Sequence, residues 1–290
     1  MFKNTSNQWR AGWEILLVVA TIFIMTMIVS FTLSLRIDSV PLFKSGEWVR
    51  IFKSNGLYIL ITVCFTVRVV HRRPLSSIGL ARIDARQLFT GFLSGAFLLT
   101  AVVLFLWGLN HVFFQGEWLK PRFQYIDVIS LVITAFMAGI CEEILFRGYI
   151  QHLLSNRLSV PWAIFITSVT FSLAHMANPE YTWISAINIG FIACILSFMT
   201  LRTGNLYFAI GFHMAWNLFQ GYVFGISVSG EMSQGIYPVI LSGGSMLTGG
   251  GFGLEGSLLA TLILGLVCVV ILNLPASTFR RTSRFERPWS

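Results

Sequence analysis

Charge is what this sequence has least of. Only 11% of its 290 residues are Asp, Glu, Lys or Arg, against 55% hydrophobic, where a soluble domain carries about 25% charged residues. A chain so poor in charge would expose apolar surface wherever it met water, which excludes a water-soluble enzyme and a disordered chain alike. Acidic residues are the scarcer sign, 12 against 20 basic, for a net charge of +8. In a chain this apolar, surplus Lys and Arg mark cytoplasmic loops rather than a nucleic-acid surface, so no nucleic-acid partner is expected. Cysteine is scarce too. Cys64, Cys141, Cys194 and Cys268 all fall inside apolar runs without metal spacing, which excludes a disulfide framework and a zinc ribbon and leaves four small core residues. No polar linker is long enough to separate a second domain.

What remains is hydrophobic length. About 160 apolar residues, at about 20 per crossing, are enough for roughly eight spans. Eight segments stand out: Trp13–Leu35, Ser54–Val70, Leu88–Leu109, Ile126–Phe146, Trp162–Ala177, Thr182–Leu201, Leu206–Gly225 and Ser257–Leu274. The expected fold is all-α, a polytopic integral membrane protein embedded in the lipid bilayer. The first segment follows Lys3 and Arg10 as a signal peptide would, but it is too long for an h-region and lacks a small-residue cleavage site, so it reads as a retained span. With the N-terminus in the cytoplasm, fourteen Lys and Arg lie on that side and six on the other. That asymmetry predicts a multi-pass protein of the cell membrane with both termini cytoplasmic. The chain divides into spans 1–3 (residues 1–125), a core (126–275) and a basic cytoplasmic tail (276–290). Trp9, Trp13, Trp48 and Trp118 suit the interfacial aromatic belt, and Asp127 suits a helix N-terminus.

Ionisable groups inside a span are expensive and are functional candidates by default. Here they fall in three spans. The fourth holds Glu142, Glu143 and Arg147; the fifth, Phe171 and His175; the seventh, His213 and Asn217. Residues four apart share a helix face, so Glu143 pairs with Arg147 while Glu142, about 100° around the helix, stays available. His213 and Asn217 are likewise one turn apart. If the fourth helix runs to about Arg157 and turns back before Pro161, Glu143 and His175 are each sixteen residues from Ser159 and stand at one level. His213 lies roughly 13 Å into the seventh helix, counted from Gly204. His71, His111 and His152 fall in loops or at helix ends and read as solvated.

The chemistry such a set can do is hydrolysis. A carboxylate and a histidine can hold a water and take its proton; a second histidine and an amide can donate to an oxyanion. Two histidines and a glutamate also suffice for a catalytic zinc with an open position, although the H-E-x-x-H signature is missing. The stretch Ser227–Gly256 holds many glycines but no following Lys-Ser or Lys-Thr, so it is no phosphate-binding loop. It reads as a re-entrant or flexible extracytoplasmic loop.

Glu-Glu-x-x-x-Arg at 142–147, Phe-x-x-x-His at 171–175 and His-x-x-x-Asn at 213–217 resemble the motifs of the CPBP family. That family groups CAAX prenyl endopeptidases of the Ras-converting type with bacteriocin-processing and immunity proteins, also called Abi proteins. The resemblance runs from about Asp127 to Leu274 and includes the Arg202–Leu206 lead-in and the Thr248–Gly256 glycines. It implies an intramembrane protease with its active-site core in spans 4, 5 and 7. Glu142 would be the catalytic base, assisted by His175; His213 and Asn217 would form the oxyanion site, supported by Glu143 and Arg147. The family is described both as glutamate-type proteases and as metalloproteases; in the second version Glu142, His175 and His213 would be ligands of a divalent metal such as zinc. The implied substrate is a membrane-associated peptide or protein, lipid-modified and CAAX-like in one version. The rival reading is a non-enzymatic immunity or scaffold protein of the same fold. A small transporter fits less well, because no inverted repeat is visible.

Overall fold

The computed structural model describes residues 11–34, 55–117, 120–123 and 131–273. Among them helix follows helix: α1 (Ala11–Ser34), α2 (Asn55–Phe65, widened into a π-helical stretch over Thr66–Val70) and α3 (Ala85–Gly108). Next, α4 is assembled from Val132–Met137, Ala138–Glu143, Ile144–Ile150 and Gln151–Ser155, then come α5 (Val160–Ala174) and α6 (Trp183–Thr203). The last two are α7 (Tyr207–Asn217, π-helical over Leu218–Val223) and α8 (Leu258–Leu272). Trp9, Trp48, Trp118, Asp127, the residues 126–130 of the fourth expected span and the basic tail 276–290 lie outside the described residues.

The ends of these helices are written in short-range chemistry. The Asp84 carboxylate accepts from the Gln87 amide at 3.1 Å to open α3. Thr182 and Ser185 form a reciprocal capping box at the start of α6, and the Ser257 hydroxyl accepts from the Ala260 amide at 3.1 Å to start α8. Each satisfies a backbone donor that the first helical turn leaves without a partner. Gly204, at φ 70°, ends α6 in the left-handed conformation that glycine adopts without strain. Asn205 then accepts from the Tyr207 amide at 3.0 Å, and only three residues separate α6 from α7.

Among the described residues three helices are long and apolar enough to cross a membrane: Ala11–Ile28 within α1, Ala85–Gly108 and Trp183–Thr203, with shorter apolar helices at Gly56–Val70, Val160–Ala174 and Leu258–Ile271. Phe23, Phe97, Trp162 and Leu262 point outward, each more than half exposed. Rings and branched chains placed there suit lipid, as expected of a membrane protein. The all-α expectation needs one correction. Val112–Phe114 (β1) pairs antiparallel with Val239–Leu241 (β2), in register Val112 to Leu241, and so gives the backbone of two interhelical loops its hydrogen-bond partners. The reading of His152 as solvated is also overturned: it is 3% exposed. His71 is half-buried against the Tyr149 hydroxyl, 3.2 Å away, and His111 Nδ1 lies 2.9 Å from the Ser242 carbonyl.

The tightest helix contact places α7. Gly91 and Gly95 form a G-x-x-x-G step on α3, and a Cβ at either would run into the Phe208 or Phe212 carbonyl of α7; a Cβ at Gly211 of α7 would run into the Leu88 carbonyl. Small residues at this spacing let two backbones touch, which gives dispersion attraction without help from the hydrophobic effect. Gly95→Leu should therefore force α3 and α7 apart, destabilising the protein by about 1–3 kcal/mol or more. A thermal melt in detergent checks it; an unchanged midpoint would contradict the packing described.

Candidate active site

Within α4 the α-helical piece Ala138–Glu143 has π-helical turns on both sides. Such turns are rare and are frequent at functional positions. Glu143 Oε1 lies 2.8 Å from Arg147 Nη1, both side chains fully buried. The same oxygen lies 2.9 Å from His213 Nδ1 on α7. With Glu143 ionised, it only accepts, so the His213 proton sits on Nδ1 and Nε2 faces the site. The buried carboxylate thus ties α4 to α7.

Glu142 turns another way. Its Oε2 stands 3.7 Å from His175 Nε2, and it is buried without a hydrogen-bond partner. His175 directly follows the last residue of α5, and its Nδ1 lies 2.9 Å from the Phe171 carbonyl. A carbonyl only accepts, so Nδ1 holds the proton and Nε2 presents its lone pair to Glu142. At 3.7 Å the two do not bond directly, but a water to one side of the pair would reach both. The expectation that Glu143 and His175 share a level is thus refined: the partner of His175 is Glu142, because Glu143 is engaged by Arg147 and His213.

Phe171 explains why the second motif begins with an aromatic residue. The Arg147 guanidinium sits 4.1 Å above its ring centroid, a cation–π contact strengthened by burial. His175 and His213 flank the same ring at 4.8 and 6.1 Å between centroids, and Phe146 meets it edge-on at 4.9 Å. One ring therefore spaces all three motifs. Asn217 is buried on α7, one turn beyond His213. Among the charged and imidazole groups, Glu142, His175 and His213 keep 25%, 14% and 13% side-chain exposure, whereas Glu143 and Arg147 have none. The first three face the reaction space and the last two brace it from behind.

Sequence reasoning missed Glu255. The stretch Ser227–Gly256 is not a flexible loop but a folded wall, with Phe252, Leu254 and Glu255 buried. Gly253, at φ 99°, packs so closely on the Ser227 carbonyl that a side chain would collide with it. Glu255 Oε1 accepts from the Trp216 indole at 3.1 Å, between the His213 and Asn217 positions of α7. Its Oε2 accepts from the Ser229 amide and hydroxyl, each at 2.9 Å. The carboxylate lies near enough to His175 and His213 to act on both electrostatically. Glu255→Ala would leave the buried Trp216 indole without an acceptor, at about 1–3 kcal/mol before relaxation, and would free the half-buried Ser229 amide and hydroxyl. A lower melting midpoint and faster proteolysis within 227–256 are expected; wild-type behaviour in both would refute the clamp.

Among the described residues no group of three His, Cys, Asp or Glu side chains is disposed to hold one metal ion. Glu143 binds one face of His213, and Glu142 and His175 form a separate pair. The donor set as folded does not converge on a zinc site.

Residues 122–219 match the family described as type II CAAX prenyl endopeptidase Rce1-like. The matched segment contains all three motifs and ends two residues past Asn217. The uncharacterized protein YyaK of Bacillus subtilis (strain 168) is similar, 24% identical over 208 residues and covering 67% of each chain. The resemblance carried by the motifs is therefore shown as a similarity: residues 122–219 are similar to the Rce1-like family, a membrane family.

Proposed function

We propose that the protein is an intramembrane endopeptidase that hydrolyses a peptide bond in a membrane-associated substrate, lipid-modified CAAX-like peptides among them. The observation that most supports this is the gap between Glu142 Oε2 and His175 Nε2, 3.7 Å wide. A water there is oriented by His175 and loses a proton to Glu142 as its oxygen attacks the peptide carbonyl carbon. The oxyanion that forms accepts a hydrogen bond from Asn217 Nδ2 and, when His213 takes a second proton whose charge Glu143 balances, from His213 Nε2–H. Glu142 then hands its proton to the amine as the C–N bond breaks, giving a new carboxylate and a new amine. Phe171, Arg147 and Glu143 hold these groups at fixed separations.

We read α1 to α8 as eight spans, with the core on α4, α5 and α7 and both termini on the arginine-rich cytoplasmic side. The test is a comparison of membrane peptides from cells bearing the wild type or His175→Ala. At least one uncleaved peptide should accumulate with the variant. Identical inventories, with any biological phenotype retained, would favour a non-enzymatic membrane protein instead.

A further inference from the structure

Glu255 takes no part in the water attack described above, yet its contacts converge on the helix that carries His213 and Asn217. Its Oε1 accepts from the Trp216 indole at 3.1 Å, and Trp216 stands three residues after His213 and directly before Asn217. At 100° per residue the indole leaves α7 about 60° around the axis from His213. Trp216 is buried, and its ring stacks on Phe212 with 16° between the planes. A side chain this large, held by a ring of its own helix and by a carboxylate of another segment, fixes how α7 is turned about its axis.

That constraint falls where the helix changes character. The α-helical part of α7 ends at Asn217, and Leu218–Val223 is π-helical, a form frequent at functional positions. Asn217 stands at the junction, so the direction of its amide depends on what holds the turns on either side. Glu255 holds the near side through Trp216. On the far side Gln220 Nε2 donates to the Ser227 carbonyl at 2.6 Å, and the Ile226 amide donates to the Gln220 carbonyl at 2.9 Å.

Glu255 is itself held. Its Oε2 accepts from the Ser229 amide and hydroxyl. Asn188 of α6, fully buried, donates from Nδ2 to the Glu255 and Ser257 carbonyls at 2.7 and 2.8 Å. The same wall reaches the other half of the site. Phe252 meets the Tyr181 ring edge-on at 5.9 Å, and the Tyr181 hydroxyl donates at 3.1 Å to the carbonyl of Ser172, three residues before His175.

We propose that Glu255 is a positioning residue of the peptidase reaction, which aims Asn217 and His213 at the oxyanion through the Trp216 indole. It rests on the peptidase reading given above. Donors to an oxyanion act in the transition state, so a small displacement lowers kcat and leaves KM near its wild-type value.

The test measures kcat and KM on a fluorogenic farnesylated CAAX peptide, with the full chain in detergent micelles and a melt of each preparation. Trp216→Phe keeps an aromatic ring against Phe212 but removes the indole N–H; Glu255→Gln keeps the shape and removes the charge. Each should lower kcat about tenfold with KM within about twofold. Each is then combined with Asn217→Ala. With that amide already gone, the same changes should cost no more than about threefold. If one variant does not fold, the other decides. The same loss in both backgrounds would mark a clamp that acts on stability alone and would overturn the proposal, as would wild-type kcat in either folded variant. If Glu142→Gln is inactive beside a fully active Trp216→Phe, only the role of Glu255 falls. Wild-type protein that leaves the peptide uncleaved, or Glu142→Gln that turns it over at the wild-type rate, would remove the peptidase reading and this proposal with it.

Discussion

Glu142→Gln is expected to lower kcat by about 10²- to 10⁴-fold, the usual contribution of a positioned general base, while the protein still accumulates in the membrane and melts near the wild-type midpoint. The amide keeps the shape of the side chain and can still hydrogen-bond a water, but it cannot take the proton. Stability should change little, because Glu142 is a quarter exposed and its Oε2 stands 3.7 Å from His175 Nε2, too far for a direct hydrogen bond. Detergent-solubilised enzyme assayed on a cleavable membrane peptide, with a melt of the same preparation, checks both halves. A variant that turns over at the wild-type rate would remove Glu142 from the mechanism.

Glu143→Ala should behave in the opposite way, with its largest effect on stability. Glu143 and Arg147 are both fully buried and 2.8 Å apart, so removing the carboxylate strands a guanidinium with only the Phe171 ring beneath it. Breaking one side of a buried pair costs about 3–5 kcal/mol. His213 loses its Nδ1 partner in the same step, so activity falls as well. Removing both charges, Glu143→Ala with Arg147→Leu, should be less destabilising than Glu143→Ala alone, because no charge is left unpaired. Unfolding curves of the single and double variants measure this. A single variant as stable as the wild type would show that the buried carboxylate does not brace α4 or hold it to α7.

How far the site could be read in advance depends on how local each interaction is. Glu143 and Arg147 pair within one helix, and four-residue spacing reveals them. The link from Glu143 to His213 crosses seventy residues of sequence, so spacing could say only that both stand at a similar depth. The π-helical turns around Ala138–Glu143 leave no composition signal, yet they belong to the setting in which Glu142 faces His175. Glu255 was hidden for a related reason. A lone glutamate among glycines reads as a loop charge until the loop folds back and the Trp216 indole reaches it. The G-x-x-x-G step at Gly91 and Gly95 was visible in the sequence, but which helix it faced was not.

The boundaries of the helices were easier, because Asp84, Thr182, Gly204 and Ser257 act on their immediate neighbours. The short β1–β2 pair was not legible: two three-residue strands 125 residues apart have no periodicity to read, and only the closing of the loops brings them together.

Cleavage in the presence of hydroxylamine tests the central claim most directly. If a water held by Glu142 and His175 attacks the peptide carbonyl with no covalent acyl intermediate, the wild type releases only free carboxylate, and Glu142→Gln releases almost none. A hydroxamate product from the wild type, which marks an acyl intermediate, or carboxylate from Glu142→Gln at the wild-type rate, would contradict it.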